Sequence, residues 1–258
     1  MFKALLVVLS QIFITPQLIS APENSSEIEM VAQKPAETVA QQIEKTRKTL
    51  AVQTSSNGDV LSLFDQVVEQ WEKQSNEQAN FEIQKLLNAV EFAAIHHNGQ
   101  TRKDVAKTPY IIHPIGVAKS LWEEGKVRNT DVLTAALLHD TLEDTKITGK
   151  DIERHFGSSV RLIVEEVTND PKLSTQENKQ RQIDKASQLS PNAKLVKLAD
   201  RLNNVRDLRK LPADWGKMDV LRYLYWGDRL LYVLKGTNST LEKALEREIL
   251  EQLAANKI

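Results

Sequence analysis

"ALLHDTLEDT", Ala136 to Thr145, sets the terms for everything around it. An apolar run ends in His139-Asp140, and the polar theme returns one helical turn later as Glu143-Asp144. On a continuous helix residues four apart share a face, so His139 is expected to stack with Glu143 and Asp140 with Asp144. Four groups able to bind a metal or move a proton then converge within about one turn. A plain core helix has no use for that density of charge, and a bound cation would make it tolerable.

The neighbouring sequence reads as helix on both sides. "FEIQKLLNAVEFAAIHH" is apolar on one face, and "HPIGVAKSLWEEG" and "TDVLTAALLHD" follow. "TGKDIERHFGSSVRLIVEEVT" holds two short helices punctuated at Gly157, and "ENKQRQIDKASQLS" is polar and helical. "NAKLVKLADRLNNVRDLRK" is a long helix opened by Pro191 and Asn192. Two more helices are expected, over Ala213 to Leu234 and Ser239 to Asn256. No alternating β pattern runs for more than a few residues, so the class is all-α, a single multi-helix bundle with a disordered or partly helical N-terminal extension.

Bulk composition agrees. The chain has 258 residues, enough for one domain with a sizeable core. Its 34 basic and 35 acidic residues leave a net charge of −1, so no global field draws nucleic acid or a membrane. There is no basic stripe interleaved with aromatics, and no nucleic-acid partner is expected. The absence of cysteine excludes disulfides, thiolate metal sites and a cysteine nucleophile.

The N-terminal third has a different character. "MFKALLVVLSQIFIT" places Lys3 before an apolar run from Ala4 to Thr15, too short to span a bilayer comfortably, and small residues follow at Ser20 and Ala21. Residues 1–21 are therefore expected to be an export signal, with no stable membrane insertion. Residues 22–57 read as a polar linker with room for a transient helix around Glu37 to Leu50. Residues 58–78 form an amphipathic helix, with Leu61, Phe64, Val67, Val68 and Trp71 at helical spacing. The main domain is expected over residues 79–258.

Two further segments carry chemistry. In "NAKLVKLADRLNNVRDL", Leu195, Leu198, Ala199, Leu202 and Val205 form an apolar stripe, with Asp200, Asn204 and Asp207 beside it. On its own such a polar stripe is most often a solvated face. Arg206 falls next to the apolar stripe and calls for a buried acid partner. In "TPYIIHPIGVA", His113 precedes Pro114, where a helix can start. Two imidazoles and two carboxylates suit a borderline or hard divalent ion such as Mn²⁺, Fe²⁺ or Zn²⁺. Beside water on such an ion, Glu143 and Asp144 would serve as proton-transfer groups.

"LLHD" with a separated "LAD", preceded by "YIIHP", resembles the signature of the HD-type metal-dependent phosphohydrolases. "HHNGQTRKD", "ALLHDTLEDT", "HFGSSVRLIVEEVT" and "AKLVKLADRLNNVRDL" together resemble the hydrolase domain of the RelA/SpoT family, nearest to the stand-alone small alarmone hydrolases of the metazoan Mesh type. The resemblance runs from about Phe81 to the C-terminus and includes no synthetase domain. It implies Mn²⁺-dependent hydrolysis of the 3′-pyrophosphate of a small-molecule nucleotide, (p)ppGpp. By it, His113, His139, Asp140 and Asp200 would be the metal ligands, and Glu143 and Asp144 would activate or position the attacking water. Arg102 and Lys103 would contact guanine and phosphates, Asn204 would help hold the nucleotide, and Tyr223 falls at a nucleotide-contacting aromatic, although a core tyrosine reads equally well there. Two positions depart from the pattern: Asp219 and Thr175 stand where basic residues are expected, with Lys172, Lys179 and Arg222 near enough in sequence to compensate. Another nucleotide, such as the 2′-phosphate of NADPH, is the alternative substrate, and a non-catalytic binding module the remaining reading. Of the other histidines, His97 matches a family position but reads as structural. Oligomeric state is left open.

Overall fold

The computed structural model describes residues 37–73, 77–210 and 214–256. The expected export signal and the first part of the expected linker lie outside the described residues. Residues Glu37–Ile258 form one compact unit. Among the described residues the regular structure is helical, with one isolated bridge between Thr101 and Pro109.

At the centre lie α5 (Thr130–Leu138) and α10 (Pro191–Asp207). Every residue of α5 from Val132 to Leu138 is buried, because the helix is apolar all round and must be enclosed on all sides. α10 is capped by Ser190, whose hydroxyl accepts the Ala193 N–H, and Pro191 supplies the preset first turn. Its apolar stripe is buried apart from the half-buried Leu195, and Lys197, Asp200 and Arg201 beside it are buried too. Of the polar stripe, Asp200 is buried and Asn204 and Asp207 are half-buried, so it is not a fully solvated face. Around this pair pack α3 (Glu77–His96), α4 (Ile112–Glu123), α8 (Ser158–Val167), α11 (Lys217–Leu234) and α12 (Ser239–Ala255), with α7 (Gly149–Phe156) resting on α8 and α9 (Thr175–Ala186) on α11. Gly157, with φ of 92°, makes the sharp turn between α7 and α8 that its position in the sequence announced. α11 opens at Lys217 rather than Ala213, since Gly216 is its N-cap and the Asp219 carboxylate accepts the Gly216 N–H at 3.0 Å.

Three expectations are corrected. First, the linker contains a docked helix, α1 (Val39–Gln53), packed on α3. Its buried stripe is Gln42, Thr46 and Leu50, and Gln42 Nε2 donates to Asn88 Oδ1 at 2.9 Å. The helix expected around Glu37 to Leu50 is therefore present, but a stripe that is two-thirds polar gives no hydrophobic periodicity and did not announce that it docks. Second, the body starts at Glu37, not residue 79: α2 (Gly58–Glu72) buries Phe64, Val67, Val68 and Trp71 as expected, with Val60 in the core and Leu61 only half-buried, and it packs on α4. Third, the helix carrying His139 is not continuous. α5 stops at Leu138, and a short turn, α6 (Thr141–Asp144), follows. The side chains compete for the helix's own carbonyls: His139 Nδ1–H donates to Ala136 O at 2.8 Å and Thr141 Oγ1 to Leu138 O at 2.7 Å. No described helix is long and apolar enough to cross a membrane.

Candidate metal centre and active site

The break after Leu138 aims the polar groups. His139 and Asp140 turn inward against His113, from the first turn of α4, and Asp200, from the middle of α10. His113 Nε2 lies 3.2 Å from Asp200 Oδ1 and 3.6 Å from Asp140 Oδ2, and His139 Nε2 lies 2.9 Å from Asp140 Oδ2 and 3.7 Å from Asp200 Oδ1. The two imidazole rings are 5.1 Å apart. All four expected ligands are thus gathered at one point, with His113, His139 and Asp140 meeting the spacing of a metal-holding group.

The remaining ring nitrogens fix the tautomers. A carbonyl only accepts, so His139 Nδ1 carries a proton. His113 Nδ1–H donates to Asn203 Oδ1 at 2.8 Å. Both Nε2 atoms then present lone pairs to two carboxylates, and the buried His139 Nε2 has no hydrogen-bond partner. Such a cluster of acceptors needs a cation, either a proton or a metal ion. In the absence of metal the proton is held tightly: burial alone would lower the His139 pKa, but Asp140 and Asp200 push it up to about 10. Burial would raise both carboxylates, yet the facing imidazoles hold Asp140 and Asp200 below the usual range. The donor set of two imidazoles and two carboxylates, with the other ring nitrogens pinned by a second layer of hydrogen bonds, fits a divalent metal.

That second layer went unread in the sequence. Tyr110 OH donates to Asp140 Oδ2 at 2.6 Å, and burial together with Asp140 keeps the phenol protonated. Asn203 reaches His113 only because residue 116 is glycine: a Cβ there would stand 2.6 Å from Asn203 Nδ2. Gln100 Nε2 donates to Asp144 O at 2.7 Å, and its Oε1 accepts from His97 Nδ1 at 2.7 Å, which gives the buried His97 the structural role expected of it. "LNN" and "HPIGVA" displayed Asn203 and Gly116, but nothing local marked their pairing.

Glu143 and Asp144 sit beside this centre on a cavity of about 600 Å³ that Arg102, Lys103, Asn204 and Tyr223 also line. That volume suits a nucleotide-sized ligand. Burial, with the charges of Asp140 and Glu143, pushes Asp144 up to about 6, close to where a group exchanging protons near neutrality should lie. Arg102 is anchored: Nη2 donates to Asn204 Oδ1 at 2.7 Å and to Asp207 Oδ2 at 2.7 Å, and its guanidinium lies 5.4 Å from the Tyr110 ring. Asn204 in turn donates to Asp200 Oδ1. The Asp200, Asn204, Asp207 stripe therefore ties a metal ligand to the arginine. Tyr223 is half-buried, between the core and the cavity. Its hydroxyl accepts from Arg201 and its ring packs 5.3 Å from Trp215 and from Trp226, while it also lines the cavity.

Neither departure lines the main cavity. Asp219, spent on Gly216 and 3.5 Å from Arg222 Nη1, lies on a second cavity of about 320 Å³ with Lys179 and Arg222. Thr175 is the first residue of α9. Lys179 Nζ sits 5.3 Å from the Tyr223 ring centre. Two of the three compensating cations thus line the cavity that Asp219 faces.

An all-helical bundle with two histidines and two aspartates gathered from two helices and the turn between α5 and α6 is the architecture of an HD-domain protein, and the HD domain family model matches residues 89–221. The chain is 50% identical over 168 residues to the guanosine-3′,5′-bis(diphosphate) 3′-pyrophosphohydrolase MESH1 of Xenopus tropicalis, covering 65% of this chain and 94% of that protein. It is 49% identical over 166 residues to the Homo sapiens MESH1, covering 64% and 93%. A solved structure described as "A metazoan ortholog of SpoT hydrolyzes ppGpp and plays a role in starvation responses" matches with a TM-score of 0.64 and 40% identity, covering 65% of this chain and 95% of that one. The chain belongs to the HD-domain family and, within it, to the group of MESH1 hydrolases.

Proposed function

We propose that this protein hydrolyses the 3′-diphosphate of guanosine 3′,5′-bis(diphosphate) and its 5′-triphosphate analogue, releasing pyrophosphate and GDP or GTP, with Mn²⁺ as the bound ion. The observation that carries the reading is the convergence of His113, His139, Asp140 and Asp200 on one point beside Glu143 and Asp144, on a nucleotide-sized cavity. The substrate class is that named for the MESH1 relatives.

A bound divalent ion would supply Lewis acidity, polarising the phosphorus–oxygen bond and lowering the pKa of water. The chain's own groups do the rest. Glu143 takes a proton from the attacking water as its oxygen bonds to the phosphorus next to the ribose. The bond from that phosphorus to the 3′-oxygen breaks, and the 3′-oxygen takes a proton. Asp144, pushed up to about 6, can supply it and be reprotonated from solvent. Arg102 and Lys103 offer guanidinium and ammonium groups to the base and phosphates, with Arg102 preset by Asp207 and Asn204. A charge-assisted contact of this kind is worth roughly 1.5–3 kcal/mol. Asn204 and Tyr223 complete the wall against the nucleoside.

The test is a comparison of kcat/KM on the full-length protein with Mn²⁺, using ppGpp, pppGpp and NADPH side by side. We expect both guanosine substrates to be hydrolysed with release of pyrophosphate. A tenfold or greater preference for NADPH would move the assignment to a 2′-phosphatase, and a metal-loaded protein that turns over none of them would be a binding module.

A further inference from the structure

Glu143 is exposed on a four-residue turn, and its backbone does not restrict where its carboxylate goes. It is held instead by Asn169, from the loop that follows α8. The Asn169 backbone N–H donates to Glu143 Oε2 at 3.2 Å, and Asn169 Nδ2 donates to Oε1 at 3.0 Å. An asparagine amide can face either way, and only its NH₂ side is useful to a carboxylate. The Glu143 carboxylate accepts only and so takes the NH₂ side, and from α9 Gln182 Nε2 donates to the Asn169 Oδ1 left on the far side at 2.8 Å. With its oxygen so occupied, the amide is held with its NH₂ toward Glu143.

The loop itself is fastened at both ends. The buried Asn178 of α9 accepts the Asp170 N–H at 3.0 Å and donates to Asp170 O at 2.9 Å and Leu173 O at 3.2 Å. At the other end the buried Lys197 Nζ donates to Val167 O, the last residue of α8, at 2.9 Å. Lys197 precedes Asp200 by one turn on α10, so one helix supports both a metal ligand and the loop that grips the expected base.

We propose that Asn169, oriented by Gln182, is the positioning residue for Glu143. Two N–H donors on one side of the carboxylate fix its plane and leave lone pairs on the other side for a water. A base held in this way keeps the attack geometry, and a displacement of about 1 Å can cost a hundredfold in rate. This inference rests on the hydrolytic reading above and adds to it the α8–α9 loop as part of the machinery.

The experiment compares wild type with Asn169→Ala, Gln182→Ala and Gln182→Glu. We expect kcat to fall by about tenfold to a hundredfold in Asn169→Ala, with KM and bound metal close to wild type. Gln182→Glu should lose more than Gln182→Ala, despite being nearly isosteric, because a carboxylate cannot donate. Asn169 would then turn its NH₂ to residue 182 and its carbonyl to Glu143. A merely structural role predicts the opposite order or loss of metal. Wild-type kcat in Asn169→Ala, or a fall accompanied by loss of metal, overturns the proposal. The measurement is made on whichever of ppGpp, pppGpp or NADPH the wild type turns over, so an error in substrate shows in the wild type alone. A thermal-unfolding cycle of Asn169→Ala with Glu143→Gln reads the contact without turnover. Non-additive Tm shifts are expected, and additive ones overturn it.

Discussion

Gly116 and Asn203 illustrate how a residue remote from the metal sets its affinity. Asn203 holds the His113 ring, and a methyl group at position 116 would strike the amide that does the holding. Gly116→Ala puts a better helix former into α4, so its stability should change little, but bound metal should weaken by about tenfold to a hundredfold, the usual cost of losing a partner behind a ligand. Titration of the apo-protein with Mn²⁺ checks this, and unchanged affinity would show that Asn203 has another way to reach the ring. Replacing His139, Asp140 or Asp200 by Ala should abolish both metal retention and turnover, because an open centre with four protein ligands cannot lose one cheaply. Glu143→Gln should keep the metal and lose about a hundredfold or more in kcat. Metal analysis beside kcat separates the two outcomes, and wild-type speed in a metal-loaded Glu143→Gln would remove Glu143 from the proton transfer.

Among the elements, α4, α10 and α12 are clamped by ions rather than by apolar contact alone. Arg206 of α10 finds the acid it was expected to need in Glu124, at the C-cap of α4, with 2.6 Å and 2.8 Å bonds from its two terminal nitrogens. The buried Glu248 of α12 lies 3.7 Å away and also takes Arg209. The hydrogen bonds from Arg206 hold Glu124 below its ordinary pKa despite burial. A depressed carboxyl contributes stability that is full above its unfolded pKa and is lost as pH falls through the folded one. Glu124→Gln should therefore cost about 1 kcal/mol at pH 7, with the deficit shrinking as the pH drops below about 4.5. Urea unfolding at both pH values tests this, and a deficit independent of pH would mean that packing, not charge, is lost.

The elements also mark what could be read in advance. Helices with apolar periodicity, such as α2 and α10, were legible because burial of that stripe is what makes them helices. For α1 a helix around Glu37 to Leu50 was legible but its docking was not, since it packs through Gln42 and Thr46. The metal ligands could be placed from their motifs, but the break after Leu138 could not, because it depends on His139 and Thr141 taking carbonyls from the helix. Asn169 lies far along the chain from Glu143, and no local pattern joins them.

At the level of the whole molecule, the relatives match about two-thirds of this chain, so it carries a substantial segment beyond them. Leu63 of α2 is part of the wall of the main cavity. We propose that Lys3 and the apolar run Ala4–Thr15 act as an export signal, with the cut after Ser20 because Pro22 would obstruct one after Ala21. Mass spectrometry of the native protein should then find a chain beginning at Ala21, and an intact N-terminus on cytoplasmic material would end that reading.

His113, His139 and Asp200 keep only 2, 5 and 7% of their surface. Groups this deep, with the half-buried Asp140 beside them, would make a bound ion a part of the interior, as much a packing element as Leu137 or Leu202. Its removal leaves mutually facing acceptors where apolar neighbours offer no solvent, so a chelator should act on this protein as a mild denaturant. Free ion at a hundred times its Kd adds about 2.7 kcal/mol to stability, or roughly 5–10 °C in Tm for a domain of this size. Melting curves in EDTA and in Mn²⁺ that coincide would show a centre rigid without its ion. Curves that separate would make metal supply a determinant of how long the folded protein survives, quite apart from how fast it turns over.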